Sequence, residues 1–201
     1  MQTLDLRKLL KPYFSAPAEP VLLNVPKFNY LMIDGIGDPN TTPVYQTAVQ
    51  ALYSLAYTLK FSIKKTEGVD YPVMALEGLW WADDMESFVK GERNNWRWTM
   101  MILQPELVTP DQLARACREV QRKKPGVPVD DVRLEEFYEG QSAQMMHIGP
   151  YSAEGPNIAR LHAFIAQNNL QRRGKHHEIY LSDPKRTAPE KMRTILRQPV
   201  A

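Results

Sequence analysis

Residues 71–81, Tyr71-Pro72-Val73-Met74-Ala75-Leu76-Glu77-Gly78-Leu79-Trp80-Trp81, are followed closely by residues 94–103, Asn94-Asn95-Trp96-Arg97-Trp98-Thr99-Met100-Met101-Ile102-Leu103. Both stretches are rich in aromatic and apolar residues and read as strands, separated by a polar connection around Asp83, Asp84 and Gly91. Two strands joined this directly pair antiparallel, because a parallel pair needs a crossover, usually a helix. A doubly wound parallel sheet is therefore excluded, and an α+β architecture is expected.

Working outward, Val21 to Ile33 reads as extended, with Phe28, Tyr30 and Met32 on one face, Leu31 and Ile33 on the other, and Pro26 marking a break or bulge. Gly35, Gly37 and Pro39 end it. Thr42 is a candidate N-cap with Pro43 at the first helical position. Val44, Ala48, Leu52, Leu55, Ala56 and Leu59 then form one apolar stripe, which predicts a helix of four or more turns. The order so far is strand, helix, strand, strand.

Thr109 followed by Pro110 opens a second capped helix through Leu113, Ala116, Cys117 and Val120, stopped by Lys123-Lys124-Pro125-Gly126. Beyond that connector the same order returns: an extended stretch from Val132 to Met146, a helix from about Pro156 to Ala166, and strands near His176–Ser182 and Arg193–Pro199. Met101-Ile102-Leu103-Gln104-Pro105 closes the first half much as Thr194-Ile195-Leu196-Arg197-Gln198-Pro199 closes the second. The expected fold is one domain over 1–201, with a first half of about 20–105, a connector helix of about 110–124 and a second half of about 131–200. Its duplicated units would form a bent antiparallel sheet, with helices on one face and a ligand cleft on the other.

A formal net charge of +2 with no basic block argues against a nucleic-acid partner. Asp5, Arg7, Lys8 and Lys11 interrupt the N-terminus before a signal peptide or membrane span can develop, so no membrane association and a cytoplasmic location are expected. The lone cysteine, Cys117, excludes an internal disulfide, which fits a reducing compartment, and its helical setting reads as a structural thiol. There is no zinc-type spacing, phosphate-cradling glycine loop, G-x-S-x-G elbow or dinucleotide fingerprint, so neither metal nor cofactor is expected. His147 and His162 read as structural. Monomer and homodimer both remain compatible with such a sheet.

Chemistry is expected in two places. Tyr71, Trp80, Trp81, Trp96 and Trp98 crowd the two strands that close the first half, more indole than a helix-packing face requires, so some of these rings are expected to line a cavity. In the second half, alternation places His176, Glu178, Tyr180 and Ser182 on one side of a strand and His177, Ile179 and Leu181 on the other. If Ile179 and Leu181 pack under the helix, Glu178 and Tyr180 face the concave side. A strand whose polar side is simply solvated fits the same pattern. His176 and His177 point to opposite faces and cannot both ligate one metal.

The runs Tyr71 to Trp81, Trp96-Arg97-Trp98-Thr99, His147-Ile148-Gly149-Pro150-Tyr151 and His176-His177-Glu178-Ile179-Tyr180-Leu181-Ser182-Asp183-Pro184 resemble the stand-alone GyrI-like small-molecule-binding proteins, over essentially the whole chain from about Val21. The resemblance implies a cleft holding a glutamate, here Glu178, surrounded by Trp80, Trp81, Trp96, Trp98, Tyr71 and Tyr180; from the strand pattern, one histidine of the pair is expected in the strand layer and one near the cleft mouth, and His176 is counted among the ligand-binding candidates. It further implies a hydrophobic planar ligand and hydrolysis of cyclopropane-bearing alkylating compounds for detoxification. Glu178 would then act as general base or acid, oriented by Tyr71 or Tyr180. The alternative is non-catalytic binding or sequestration of hydrophobic or cationic drugs, with cation–π contacts from the rings.

Overall fold

The computed structural model describes residues 2–82 and 95–201. The polar connection expected around Asp83, Asp84 and Gly91, and Asn94 at the start of the expected strand, lie outside the described residues. The elements are β1 (Gln2–Thr3), α1 (Leu6–Leu9), β2 (Val21–Ile36), α2 (Pro43–Glu67), β3 (Val69–Asp70), β4 (Leu76–Trp81), β5 (Arg97–Gln104), α3 (Pro110–Lys123), β6 (Arg133–Ile148), α4 (Gly155–Gln167), β7 (His176–Tyr180) and β8 (Arg193–Pro199). This is an α+β fold in which β2 pairs antiparallel with β5, and β8 with both β6 and β7, while β1 and β3 form a separate two-stranded parallel pair. The strand-helix-strand-strand order occurs twice, and the neighbour order repeats with it, β2-β5-β4 in the first copy and β6-β8-β7 in the second.

Two compact units divide the chain, one of Met1–Leu9, Phe28–Met74 and Trp80–Phe137, the other of Leu10–Lys27, Ala75–Leu79 and Tyr138–Ala201. In the first, Thr42 is the extended N-cap of α2, Pro43 begins it, and Gly68 ends it in the left-handed conformation at φ 69°. Ala48, Ala51, Leu52, Leu55, Ala56, Leu59 and Ile63 form its buried stripe. Val44, expected in that stripe, is exposed, while its neighbour Tyr45 packs against Trp80 and Trp98. Thr109 and Gln112 cap α3 reciprocally: the Gln112 amide N–H donates to Oγ1 of Thr109, and the Thr109 N–H donates to Oε1 of Gln112. The Cys117 thiol is half-buried and donates to the Val129 carbonyl.

Strand β2 runs through Pro26 without a break, and its pairing with β5 extends from Asn29–Gln104 to Ile36–Arg97, so the proline lies outside that ladder. The strand expected from Tyr71 begins only at Leu76, beyond Pro72, which has no N–H to give a ladder. Gly35 lies opposite Trp98, and a Cβ there would fall 2.0 Å from the indole ring. Gly35→Ala should therefore cost about 1–3 kcal/mol of stability by overpacking, measurable by chemical denaturation.

In the second unit β6 pairs with β8 from Ser142–Pro199 to Ile148–Arg193, and β7 pairs with β8 from His177–Arg197 to Tyr180–Thr194. Helix α4 covers one face of these strands, where Leu161 and Ile165 pack with Ala143, Met145, Leu196 and Val200. Among the described residues no helix is long and apolar enough to cross a membrane.

Candidate functional site

Residues paired across an antiparallel ladder share a face. Glu178 is paired with Leu196 and Tyr180 with Thr194, and Leu196 packs against α4. Glu178 and Tyr180 therefore lie on the helix-covered face, and Ile179 on the opposite one, which reverses the sequence-based assignment of the helix to Ile179 and Leu181. The reason is that both faces of β7 are largely buried, so alternation separates two sets of side chains without saying which set the helix covers.

The face of Ile179 carries a buried chain of charges. His177 Nδ1 lies 2.9 Å from Glu139 Oε1 and its Nε2 lies 3.0 Å from Glu77 Oε2. Arg197 donates to the other oxygen of Glu139 at 3.0 Å, to Gln144 Oε1 at 2.9 Å and to the Tyr13 carbonyl. Glu77, Glu139, His177 and Arg197 are all 2 % exposed or less. Burial pulls the His177 imidazole down, but the charge and hydrogen bond of Glu139 and those of Glu77 outweigh it and raise it to about 9. Burial likewise raises Glu139, yet His177 and Arg197 hold it at about 2. The result is a carboxylate, an imidazolium, a second carboxylate and a guanidinium that neutralise one another inside the unit.

On the α4 face the Tyr180 hydroxyl donates to Glu178 Oε2 at 2.8 Å, and His176 Nε2 stands 3.3 Å from Glu178 Oε1 without hydrogen-bond alignment. Tyr151 meets the Tyr180 ring edge-on at 5.5 Å. A second carboxyl, Glu154, completes the group. It is delivered by the segment after β6: Gly149 turns with φ 140°, a short 3-10 turn spans Tyr151–Ala153, and Glu154 occupies the N-cap position of α4. The His147 ring braces that turn. Its Nε2–H donates to the Pro150 carbonyl at 3.2 Å, and its Nδ1 accepts from the Asn157 amide at 2.9 Å.

Glu154 is 5 % exposed and makes no capping hydrogen bond. Burial, and then the adjacent negative charge of Glu178, push its carboxyl up to about 9, so it carries a proton at neutral pH. Its ordinary value is 4.5, so between about 4.5 and 9 the folded state holds more protons than the unfolded chain. Stability must fall as pH rises through that window, by up to about 1.4 kcal/mol per pH unit from this group. Urea unfolding at pH 6, 7 and 8 should show that slope in the wild type and a flatter one in Glu154→Gln.

The remaining candidates lie in the first unit. Trp80 and Trp98 are buried, while Trp81 and Trp96 are half-buried. Trp96 sits just ahead of β5 and meets Trp80 edge-on at 5.9 Å. Tyr45, from the first turns of α2, stacks on Trp80 at 6.2 Å and meets Trp98 edge-on at 5.4 Å. The Trp98 N–H donates to the Gly37 carbonyl. Tyr71 is buried, its hydroxyl has no hydrogen-bond partner among the described residues, and burial raises its phenol well above the usual range.

Glu178, Tyr180 and His176 are thus brought together as the β7 pattern foretold, whereas Tyr45, Glu154, Glu77 and Glu139 were missed. Glu77 left a signal, being a charge inside the apolar run Leu76 to Trp81. Glu154 resembles an ordinary acidic residue at a helix start. Among the described residues no group of three or more His, Cys, Asp or Glu side chains is arranged to hold a metal ion.

No functionally curated protein matches the chain in sequence. Three solved structures from Listeria innocua do match along essentially their whole length. An uncharacterized conserved protein is 41% identical, covering 98% of this chain and 100% of its own, with a TM-score of 0.90. A protein named a hydrolase is 40% identical with the same coverage and a TM-score of 0.86. A second protein named a hydrolase is 39% identical over 100% of both chains, with a TM-score of 0.87. The EcmrR C-terminal domain shares the fold at 11% identity, covering 91% of this chain and 97% of that domain, with a TM-score of 0.58. With residues 18–201 matched by the model of the GyrI-like small molecule binding domain, the chain belongs to the GyrI-like family.

Proposed function

We propose that the protein hydrolyses hydrophobic planar compounds bearing a cyclopropane ring conjugated to a carbonyl, with Glu178 activating the attacking water and Tyr180 orienting Glu178. The observation that carries this reading is the Glu178 carboxylate itself, 14% exposed at its side chain, fixed by the Tyr180 hydroxyl and set beside the protonated Glu154. A carboxylate with a poised neighbour and partial access to solvent suits acid–base chemistry. That two relatives at 40% and 39% identity are named hydrolases supports it. Ring strain lowers the barrier, so the ~10²–10⁴-fold of one acid–base group is enough to matter. In the first unit the half-buried Trp81 and Trp96, with Trp80, Trp98 and Tyr71, are the proposed stacking rings; in the second, His176 stands beside Glu178. Detoxification of alkylating compounds in the cytoplasm follows as the biological role.

A second reading, binding without turnover, is favoured by the description of the family as a small molecule binding domain. Mass spectrometry separates the two. Incubation of the protein with a cyclopropane-bearing aryl ketone should yield the ring-opened alcohol, heavier by one water. Recovery of only unchanged compound, at a rate no different from buffer, establishes the binding reading instead.

A further inference from the structure

Beside its buried stripe, helix α2 carries a second row. Tyr53, Tyr57 and Phe61 follow one another at four-residue intervals, and Lys65 continues the line. The rings stack in sequence, Tyr53 with Tyr57 at a centroid distance of 6.4 Å and Tyr57 with Phe61 at 6.2 Å, their planes inclined by 28° and 24°. Tyr57 is nevertheless 48% exposed and Phe61 58%. Rings scattered singly on a surface are ordinary, whereas a contiguous line of them marks a place where something binds.

The row borders a groove that α2 forms with α3. Lys124, which closes α3, donates to Ser54 Oγ at 3.2 Å, and Gln112 in its first turn donates to Glu67 Oε1 at 2.6 Å, so the two helices run antiparallel. The cavity between them has a volume of about 710 Å³, within the range of small-molecule sites. Lys65, Lys123 and Lys124 line it against a single carboxylate among the described residues, Glu119, which Lys123 holds. Positive charge is therefore in excess beside an aromatic wall. Both helices belong to the first unit. Tyr53 lies about 12 Å along α2 from Tyr45, the ring that packs on Trp80 and Trp98, so the groove and the indole cluster use different parts of the helix.

These two properties together select the guest. A flat ring system gains from stacking against the exposed phenol and phenyl rings, and an acid group gains from the uncompensated ammonium groups. A cation would meet repulsion, and an aliphatic acid would leave the rings unused. We propose that the groove between α2 and α3 is a binding site for a planar aromatic acid, its rings against Tyr57 and Phe61 and its acid group held by the bordering lysines. The site stands independently of Glu178 and of any hydrolysis.

Amide NMR of the isotope-labelled full chain, titrated with 2-naphthoate and with its neutral counterpart 2-naphthamide, reads affinity and location together. 2-Naphthoate should shift the amides of Tyr57, Phe61 and Lys123 and bind about fivefold more tightly than 2-naphthamide, the scale of pairing with exposed lysines. That preference should shrink as salt is raised. Phe61→Ala places a strong helix former at an exposed position and should weaken 2-naphthoate about fivefold through lost stacking. Lys65→Gln combined with Lys124→Gln should erase the preference for the acid and leave 2-naphthamide unaffected. Absence of groove shifts, shifts confined to β4 and β5, equal affinity for the two compounds, or binding untouched by Phe61→Ala overturns the site. Groove amides that shift with protein concentration alone assign the face to a second copy of the chain and overturn it as well. Neither probe carries a cyclopropane ring, so failure here leaves the hydrolase reading where it stood.

Discussion

Glu139→Gln should lower the unfolding free energy by about 3–5 kcal/mol, because it strips the negative charge that both His177 and Arg197 require in a space closed to water. Arg197→Met should cost a similar amount by leaving Glu139 Oε2 and Gln144 Oε1 without the guanidinium that donates to them. The two losses should not add, since both break the same network. Urea denaturation of the single and double variants checks this. The pH response has two limbs. Glu139 is depressed to about 2 from 4.5, so its contribution is present above 4.5 and lost as pH falls through about 2. His177 is raised to about 9 from 6.5, so its contribution is complete below 6.5 and lost as pH rises through about 9. The network is therefore strongest from about pH 4.5 to 6.5, and near neutrality it adds to the downward slope expected from Glu154.

Glu178→Gln should reduce kcat/KM on a cyclopropyl aryl ketone by ~10²–10⁴-fold, equivalent to about 3–5 kcal/mol of lost transition-state stabilisation. Glutamine keeps the shape and a hydrogen bond to Tyr180 but cannot take a proton from water. Tyr180→Phe should cost less, because it frees the carboxylate without removing it. The KM for the same ketone in Glu178→Gln should stay within about threefold of wild type, which distinguishes lost chemistry from lost binding. Equal turnover by Glu178→Gln and wild type would exclude Glu178 from the reaction.

Local signals in the sequence reached further than packing signals. Thr42-Pro43 and Thr109-Pro110 announced both helix starts, since a cap and a proline act within one turn. The duplicated order of elements was equally legible, because each strand and helix carries its own period. Alternation in β7 grouped Glu178 with Tyr180 and His176 correctly. It failed to orient that group, since the charge on the opposite face is satisfied by residues 38 and 100 positions away, Glu139 and Glu77. No window of sequence contains that information. Glu154 escaped notice for a related reason: its meaning comes from Glu178 and Thr194, not from its neighbours along the chain.

The braced turn after β6 has a consequence for relatives of this protein. His147 grips Pro150 and Asn157, and Gly149 adopts a backbone angle closed to other residues, so the path from the end of β6 to the first turn of α4 is fixed in length. One residue more or fewer would displace the acid by roughly 3.5 Å, beyond reach of its partner carboxylate. Spacing between the histidine and the acid, rather than the identity of the intervening residues, is thus the criterion by which family members that keep the two-carboxyl arrangement can be sorted from those that have let it go.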